Sequence, residues 1–259
     1  MTTNEVATRG FAAASSAYER GRPDYPPAVI AALASDLRIR PGTRLLDLAT
    51  GTGKLARRFT GVAEVIGVDP AAEMCLEFAR LQPGVPVIRG NAETLPLAAG
   101  SMDAALVGTA FHWFDGPVAL RELHRVLRPG ARLGLVWLQR DETVDWVAEL
   151  VRLVDTYRPP DARRFAETPW QSAFEDDAGA ALFTPLESRE FPFAFEVDRA
   201  TAVARTASTS FVAALPPERR QEVLDRVAGF LDAHPSTRDR ATIALPHRAE
   251  VFWSVRRDA

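Results

Sequence analysis

Short aliphatic and β-branched runs alternate with amphipathic stretches through the first half of the chain, at Arg44 to Leu48, Glu64 to Val68, Val85 to Arg89, Ala104 to Thr109 and Arg132 to Leu138. Runs of this length separated by helical patterns predict parallel strands joined by crossover helices. Ahead of the first run, Pro26 and Pro27 open a helix with Val29, Ile30, Leu33 and Leu37 on its apolar face, and Arg40-Pro41-Gly42 closes it. A further helix over Val118 to Leu127 turns Val118, Leu123, Val126 and Leu127 toward the core and Arg121, Glu122 and Arg125 outward, with Arg128-Pro129-Gly130 as its stop. Beyond Gln139, helical stretches at Val144 to Tyr157 and Pro217 to Ala233 interrupt the pattern, and strands return at Glu187 to Phe195 and Val251 to Val255. Trp146, Trp170, Phe174, Phe183 and Phe211 fall in the inserted segments, more aromatic surface than a solvent-facing connection needs. They read as a cap over the carboxyl edge of the sheet, where open α/β folds bind ligands.

The pattern therefore predicts a doubly wound, mostly parallel α/β sheet of seven strands with helical cap insertions. It fits a single domain over residues 1–259: a core over about 41–139, an N-terminal lid over about 1–30, and cap insertions over about 140–186 and 199–246. At 47% hydrophobic residues the chain can bury a substantial core.

Chemistry enters at the end of the first strand. Leu45-Leu46-Asp47-Leu48 runs into Ala49-Thr50-Gly51-Thr52-Gly53, and a helix start is expected near Lys54. Glycines there open backbone conformations closed to other residues and leave no Cβ between main chain and ligand, while a helix start points free N–H groups at it. Gly51 to Ala56 also satisfies the dinucleotide fingerprint G-x-G-x-x-A, so these six residues alone mark a nucleotide-type cofactor without choosing one. Asp69 closes the second run about twenty residues on, where the doubly wound fold places a ribose-binding carboxylate. The competing reading makes Asp69 a cap for a helix starting near Ala71.

Charge and composition remove several classes of partner. The formal net charge is -3, and the basic residues are scattered among acidic ones, which disfavours a nucleic-acid partner. One cysteine, Cys75, excludes an intrachain disulfide and a cysteine metal cluster and suits a reducing cytoplasm; its simplest role is a small core residue. No run reaches the length of a membrane span, and the four histidines offer no metal-ligand spacing. His124 fits a helix surface, His234 a helix end and His247 a strand entry after Pro246. The expectation is a cytoplasmic protein acting on a small molecule, without metal, membrane or nucleic acid.

Asp47-Leu48-Ala49-Thr50-Gly51-Thr52-Gly53, then Asp69, then Gly90-Asn91-Ala92-Glu93-Thr94-Leu95-Pro96-Leu97, resembles the class I S-adenosylmethionine-dependent methyltransferases, of Rossmann-like fold. The resemblance continues through Ser101 to Ala105 and Leu120 to Gly130, about half the chain in all. It implies S-adenosyl-L-methionine as cofactor. It also implies Asp47 near the methionyl ammonium, the Gly51 to Gly53 backbone against methionine and ribose, and Asp69 on the ribose hydroxyls. Asn91 and Ala92 would read the adenine through a side-chain acceptor and a backbone N–H, and Ala49, Thr50, Pro70 and Glu93 complete the cofactor-binding set. Many relatives carry Asp where this chain has Asn91; an amide oxygen still accepts, without full charge. Asn91 could equally be a turn residue after a strand.

The run Phe11 to Pro26 is similar to an entry segment that folds over the cofactor in a small-molecule, type 11-like branch of these enzymes. On that likeness Arg22 suits the methionyl carboxylate and Tyr18 a lid hydroxyl near the sulfonium. A surface arginine and a staple for the next helix are the plainer readings.

After the fourth run comes Phe111-His112-Trp113-Phe114, the candidate for substrate contact. The His112 imidazole is suited to accept a proton from a hydroxyl or amine nucleophile, and Trp113 and Phe114 to exclude water; the alternative is aromatic cover for the core. Two other functions share parts of these features. An NAD-dependent oxidoreductase would also use the glycine turn and Asp69, and a protein of methyltransferase fold could bind without methylating.

Overall fold

The computed structural model describes residues 21–160 and 167–258. Its strands are Arg44–Leu48 (β1), Glu64–Asp69 (β2), Val87–Arg89 (β3), Met102–Gly108 (β4), Leu127–Arg140 (β5), Glu187–Val197 (β6) and Ile243–Val255 (β7). They form one sheet in the order β3-β2-β1-β4-β5-β7-β6. The β1–β2, β1–β4, β2–β3 and β4–β5 pairs are parallel, the arrangement expected from the sequence pattern. Leu48 stands opposite Val68 on one side and Val107 on the other, so the carboxyl ends of β2, β1 and β4 are level. The winding reverses between β1 and β4, the switch point at which such sheets open a crevice.

The helices are Pro27–Asp36 (α1), Ala72–Leu81 (α2), Gly116–Val126 (α3), Asp145–Asp155 (α4), Ser172–Glu175 (α5), Asp177–Leu182 (α6), Arg199–Ala207 (α7), Ser210–Ala213 (α8) and Pro217–Ala233 (α9). The chain falls into two compact units, one holding described residues 25–137, 167–191 and 250–258, the other 21–24, 138–160 and 192–249.

In the larger unit β1 and β4 are buried almost throughout, which explains their unbroken apolar runs. Leu46, Leu48, Val68, Ala105 and Val107 pack with Ala119, Leu120, Leu123 and Val126, residues three or four apart on α3. Asp115 caps α3 by accepting from the Val118 N–H at 3.2 Å. Trp170, Phe174 and Phe183, which the sequence pattern assigned to a cap, are core residues here, packed with Phe111 and Trp137. The smaller unit has its own core, in which Val147, Leu150, Val151 and Val154 of α4 meet Val223, Val227 and Leu231 of α9 and Ile243 and Leu245 of β7.

Several boundaries differ from the sequence reading for identifiable reasons. Helix α1 stops at Asp36, before Arg40-Pro41-Gly42, because Arg38 takes a left-handed conformation (φ 54°) and the Ile39 N–H returns to the Ala34 carbonyl. This is a helix end usually marked by glycine. Near Lys54 there is no α-helix but a 3-10 turn, Ala56–Arg58: the Ala56 N–H is held by the Asp47 carboxylate, Arg57 makes a single i to i−4 bond to the Gly53 carbonyl, and the Arg58 and Phe59 N–H groups bond i to i−3. Arg128-Pro129-Gly130 lies within β5: the pairing with β4 jumps from Leu127 opposite Met102 to Arg132 opposite Ala104, so Pro129 sits in a bulge and owes no ladder N–H. Strand β7 begins at Ile243, which puts His247 inside it, 1% exposed, where a strand entry was expected. Cys75 is half-buried on α2 and is not a core residue.

Candidate active site

The glycine turn is built by three left-handed residues in alternation, Ala49 (φ 55°), Gly51 (φ 56°) and Gly53 (φ 81°). The two glycines serve different ends. A Cβ on Gly53 would stand 1.7 Å from Gln82 Nε2 and 2.7 Å from the Phe78 ring, so its absence lets α2 pack and lets Gln82 donate to the Gly53 carbonyl at 3.2 Å. A Cβ on Gly51 would meet nothing within 4 Å, which leaves open space beside the turn. Gly53→Ala is therefore expected to cost about 2–5 kcal/mol of folding stability in urea titrations, the overpacking of about 1–3 kcal/mol adding to the roughly 1–2 kcal/mol of a left-handed alanine. Gly51→Ala should cost only about the 1–2 kcal/mol of a left-handed alanine while filling the open side.

Two buried carboxylates organise this turn. Asp47 Oδ2 accepts from the Thr50 hydroxyl at 2.6 Å and from the Ala56 N–H at 3.1 Å. Burial pushes its pKa from 3.8 to about 7; the two hydrogen bonds oppose the shift, and the nearby charge of Asp69 adds to it. Asp69 Oδ2 accepts from the Gly51 N–H at 2.8 Å and its Oδ1 from the Ala71 N–H at 2.9 Å. Burial raises this carboxyl as well, against the two backbone donors. Asp69 is thus not the cap of α2, whose N-cap is Ala71 without a side-chain bond; it ties the glycine turn to the end of β2. Each of its oxygens keeps a second lone pair. Cys75 Sγ lies 3.5 Å from the Asp69 carbonyl, and burial pushes the thiol pKa up. Pro70, next to Asp69, accepts from Arg89 Nε through its carbonyl at 3.2 Å.

The segment after β3 lies on the same carboxyl edge, with Arg89 in register with Asp69. Asn91 is exposed and bridges to Thr94, while Ala92 is buried. Glu93 Oε1 accepts from the Asp115 N–H at 3.0 Å, joining this loop to the start of α3. Glu122 and Arg125, expected on the outward face of α3, instead hold the loop. Glu122 Oε2 accepts from the Leu95 N–H at 2.7 Å, and Arg125 donates to the Leu95 and Leu97 carbonyls at 2.9 and 2.8 Å. The two side chains also form a forked ion pair. Nothing local in the sequence separates this pair from an ordinary i,i+3 surface bridge.

At the end of β4, Thr109 is left-handed (φ 56°) and a 3-10 turn spans Phe111–Trp113. Phe111 is buried against Phe114, Trp170 and Phe174. His112, Trp113 and Phe114 are partly exposed. The Trp137 indole N–H donates to His112 Nδ1 at 3.2 Å, a partner 25 residues away that the sequence reading did not include. The Tyr25 hydroxyl, also missed, would lie 2.5 Å from a Cβ on Gly108. His112 borders a small cavity of about 190 Å³ lined also by Phe111, Phe114, Pro169 and Trp170, below the roughly 300–1,000 Å³ usual for ligand sites. A larger cavity of about 490 Å³, lined by residues around Thr43 and Arg132, lies toward the opposite edge of the sheet. In the smaller unit, Arg22 donates to the Ser208 carbonyl at 3.2 Å. Tyr18 lies outside the described residues.

The family described as "Methyltransferase domain" matches residues 46–135, the span holding the carboxylates and both strand-end loops. A Mycobacterium tuberculosis protein described as an uncharacterized methyltransferase is 37% identical over 238 residues, covering 92% of this chain and 91% of the relative. The YcgJ protein of Bacillus subtilis shares the fold with a TM-score of 0.56 at 22% identity, covering 89% of this chain and 98% of that one. A phosphoethanolamine N-methyltransferase 2 of Haemonchus contortus, in complex with phosphomonomethylethanolamine and S-adenosylhomocysteine, superposes with a TM-score of 0.55 at 14% identity, covering 95% and 58%.

Proposed function

The chain belongs to the class I S-adenosylmethionine-dependent methyltransferases, and from that premise we propose that it methylates a small, partly apolar molecule at the crevice between β1 and β4. The observation that carries this is the link from Asp69 to the Gly51 N–H, which fixes a carboxylate and an open glycine turn at the switch point of the sheet. The residues suit the cofactor. Gly51 leaves open the space a Cβ would fill, and Asp47 is a buried carboxylate whose charged form a ligand ammonium would relieve.

In this reading the remaining lone pairs of Asp69 take the ribose hydroxyls, Asn91 Oδ1 and the Ala92 N–H take the adenine edge, and Asp47 faces the ammonium. Ala49, Thr50 and Gly53 shape the turn, and Glu93 with Glu122 and Arg125 keeps the adenine loop in place. When bound, the cofactor supplies an electrophilic methyl group on a sulfonium. The chain's own contribution is to hold the acceptor in line and keep water away, the part assigned to Phe111, His112, Trp113 and Phe114.

The partners proposed are small molecules only. No helix among the described residues is long and apolar enough to cross a membrane, and the net charge of -3 gives no footprint for nucleic acid. A single cysteine suits a reducing compartment, the cytoplasm. The test is calorimetric titration with S-adenosylhomocysteine and, separately, NADH, followed by a methyl-donor assay against acids, phenols and amines. Saturable binding of the first ligand and transfer to one acceptor class are expected; saturable binding of NADH alone would refute the proposal.

A further inference from the structure

The Trp137 ring is wholly buried in β5, and a buried indole N–H requires an acceptor. It finds one in His112 Nδ1 at 3.2 Å. A ring nitrogen that accepts a hydrogen bond carries a lone pair and no proton, so the neutral imidazole bears its hydrogen on Nε2. Taking up a proton at Nδ1 would break this bond. The rings around the pair keep it in place. Trp137 lies 4.5 Å from Trp170 and 5.8 Å from Phe252 between centroids, and His112 lies 4.8 Å from Trp113.

We propose that Trp137 is a positioning residue that fixes His112 as an Nε2–H donor, and that the methyl acceptor is a carboxylate held by that donor, giving a methyl ester without a general base. The inference rests on the methyltransferase reading above and gives it a substrate class. An alcohol, a phenol or a protonated amine must lose a proton during transfer, and a nitrogen that already carries hydrogen cannot take it. An amine would also set its own N–H groups against the imidazole N–H. A carboxylate is ionised at neutral pH and only accepts hydrogen bonds.

The balance closes without a proton. One carboxylate oxygen forms the new O–CH3 bond as the S–CH3 bond breaks, and the electron pair of that bond goes to sulfur. The negative charge of the acid and the positive charge of the sulfonium disappear together. His112 keeps its Nε2 hydrogen throughout and donates to the oxygen that does not attack.

The tautomer can be read on the full-length protein labelled with 15N-histidine, from two-bond 1H–15N correlations at about pH 8, with His112→Gln identifying the resonances. Expected are an unprotonated Nδ1 and a protonated Nε2, and a drift toward mixed tautomers in Trp137→Phe. An Nδ1–H tautomer overturns the positioning role on the parent protein alone. The sample is then saturated with S-adenosylhomocysteine and titrated with benzoate and, separately, with phenol. A shift of the Nε2 proton with benzoate is expected; a shift with phenol alone, or with neither, overturns the carboxylate assignment. Failure of S-adenosylhomocysteine to bind at all would instead count against the methyltransferase reading.

Discussion

Asp47→Asn is expected to make the unliganded protein more stable at pH 8 while weakening its hold on S-adenosylhomocysteine. The carboxyl of Asp47 has its pKa raised from 3.8 to about 7 by burial, so the folded chain holds this proton more tightly than the unfolded one. A raised pKa contributes nothing unfavourable below about pH 4, where both states are protonated. It costs stability progressively as pH climbs toward 7, and the full cost persists above that. The gap corresponds to as much as about 4 kcal/mol, at 1.36 kcal/mol per pKa unit. The amide still offers an oxygen to the Thr50 hydroxyl and the Ala56 N–H, so the turn keeps its bonds and only the charge is lost. Melting curves at pH 4.5 and pH 8 should differ in this component for the parent and not for the variant. Calorimetry should show parent affinity falling below pH 7 as Asp47 takes a proton, with the variant weak at every pH. A variant no more stable than the parent at pH 8 would show that Asp47 is not a strained charge.

Asp69→Ala should reduce affinity for S-adenosylhomocysteine about tenfold to 150-fold, the equivalent of about 1.5–3 kcal/mol for one charge-assisted hydrogen bond. The loss has two sources. Acceptors for the ribose hydroxyls disappear, and the Gly51 and Ala71 N–H groups, which Asp69 holds at 2.8 and 2.9 Å, are released, so the turn loses its link to β2. Asp69→Asn separates them, because an amide oxygen can keep one backbone donor but not both. Its affinity should fall between parent and alanine variant. Equal affinity in all three would remove Asp69 from the cofactor site.

The strands, the glycine turn and both carboxylates were legible because each leaves a local mark: a short apolar run, a glycine pair, an acidic residue closing a β-branched run. Seven strands were recovered, although β5 and β7 begin earlier than their apolar patterns. Pro129 reads as a stop unless the bulge opposite Met102 to Ala104 is known. The helix expected near Lys54 failed for a similar reason. Its N–H groups follow the glycine pattern, but the Asp47 carboxylate, nine residues back, takes the Ala56 N–H and tightens the turn to 3-10 form. What stayed hidden depends on long-range pairing. Trp137 on His112 is separated by 25 residues, Arg125 on Leu95 by 30 and Gln82 on Gly53 by 29. Trp170, Phe174 and Phe183 show the limit of composition, since an aromatic residue in an inserted segment serves a core or a cap equally well until its neighbours are known.

Cys75 carries the only thiol in the chain, and its sulfur rests against the Asp69 carbonyl at the start of α2. With no second thiol to compete and this sulfur half-buried, alkylation followed by mass spectrometry reads the accessibility of one position beside Asp69 without introducing a label.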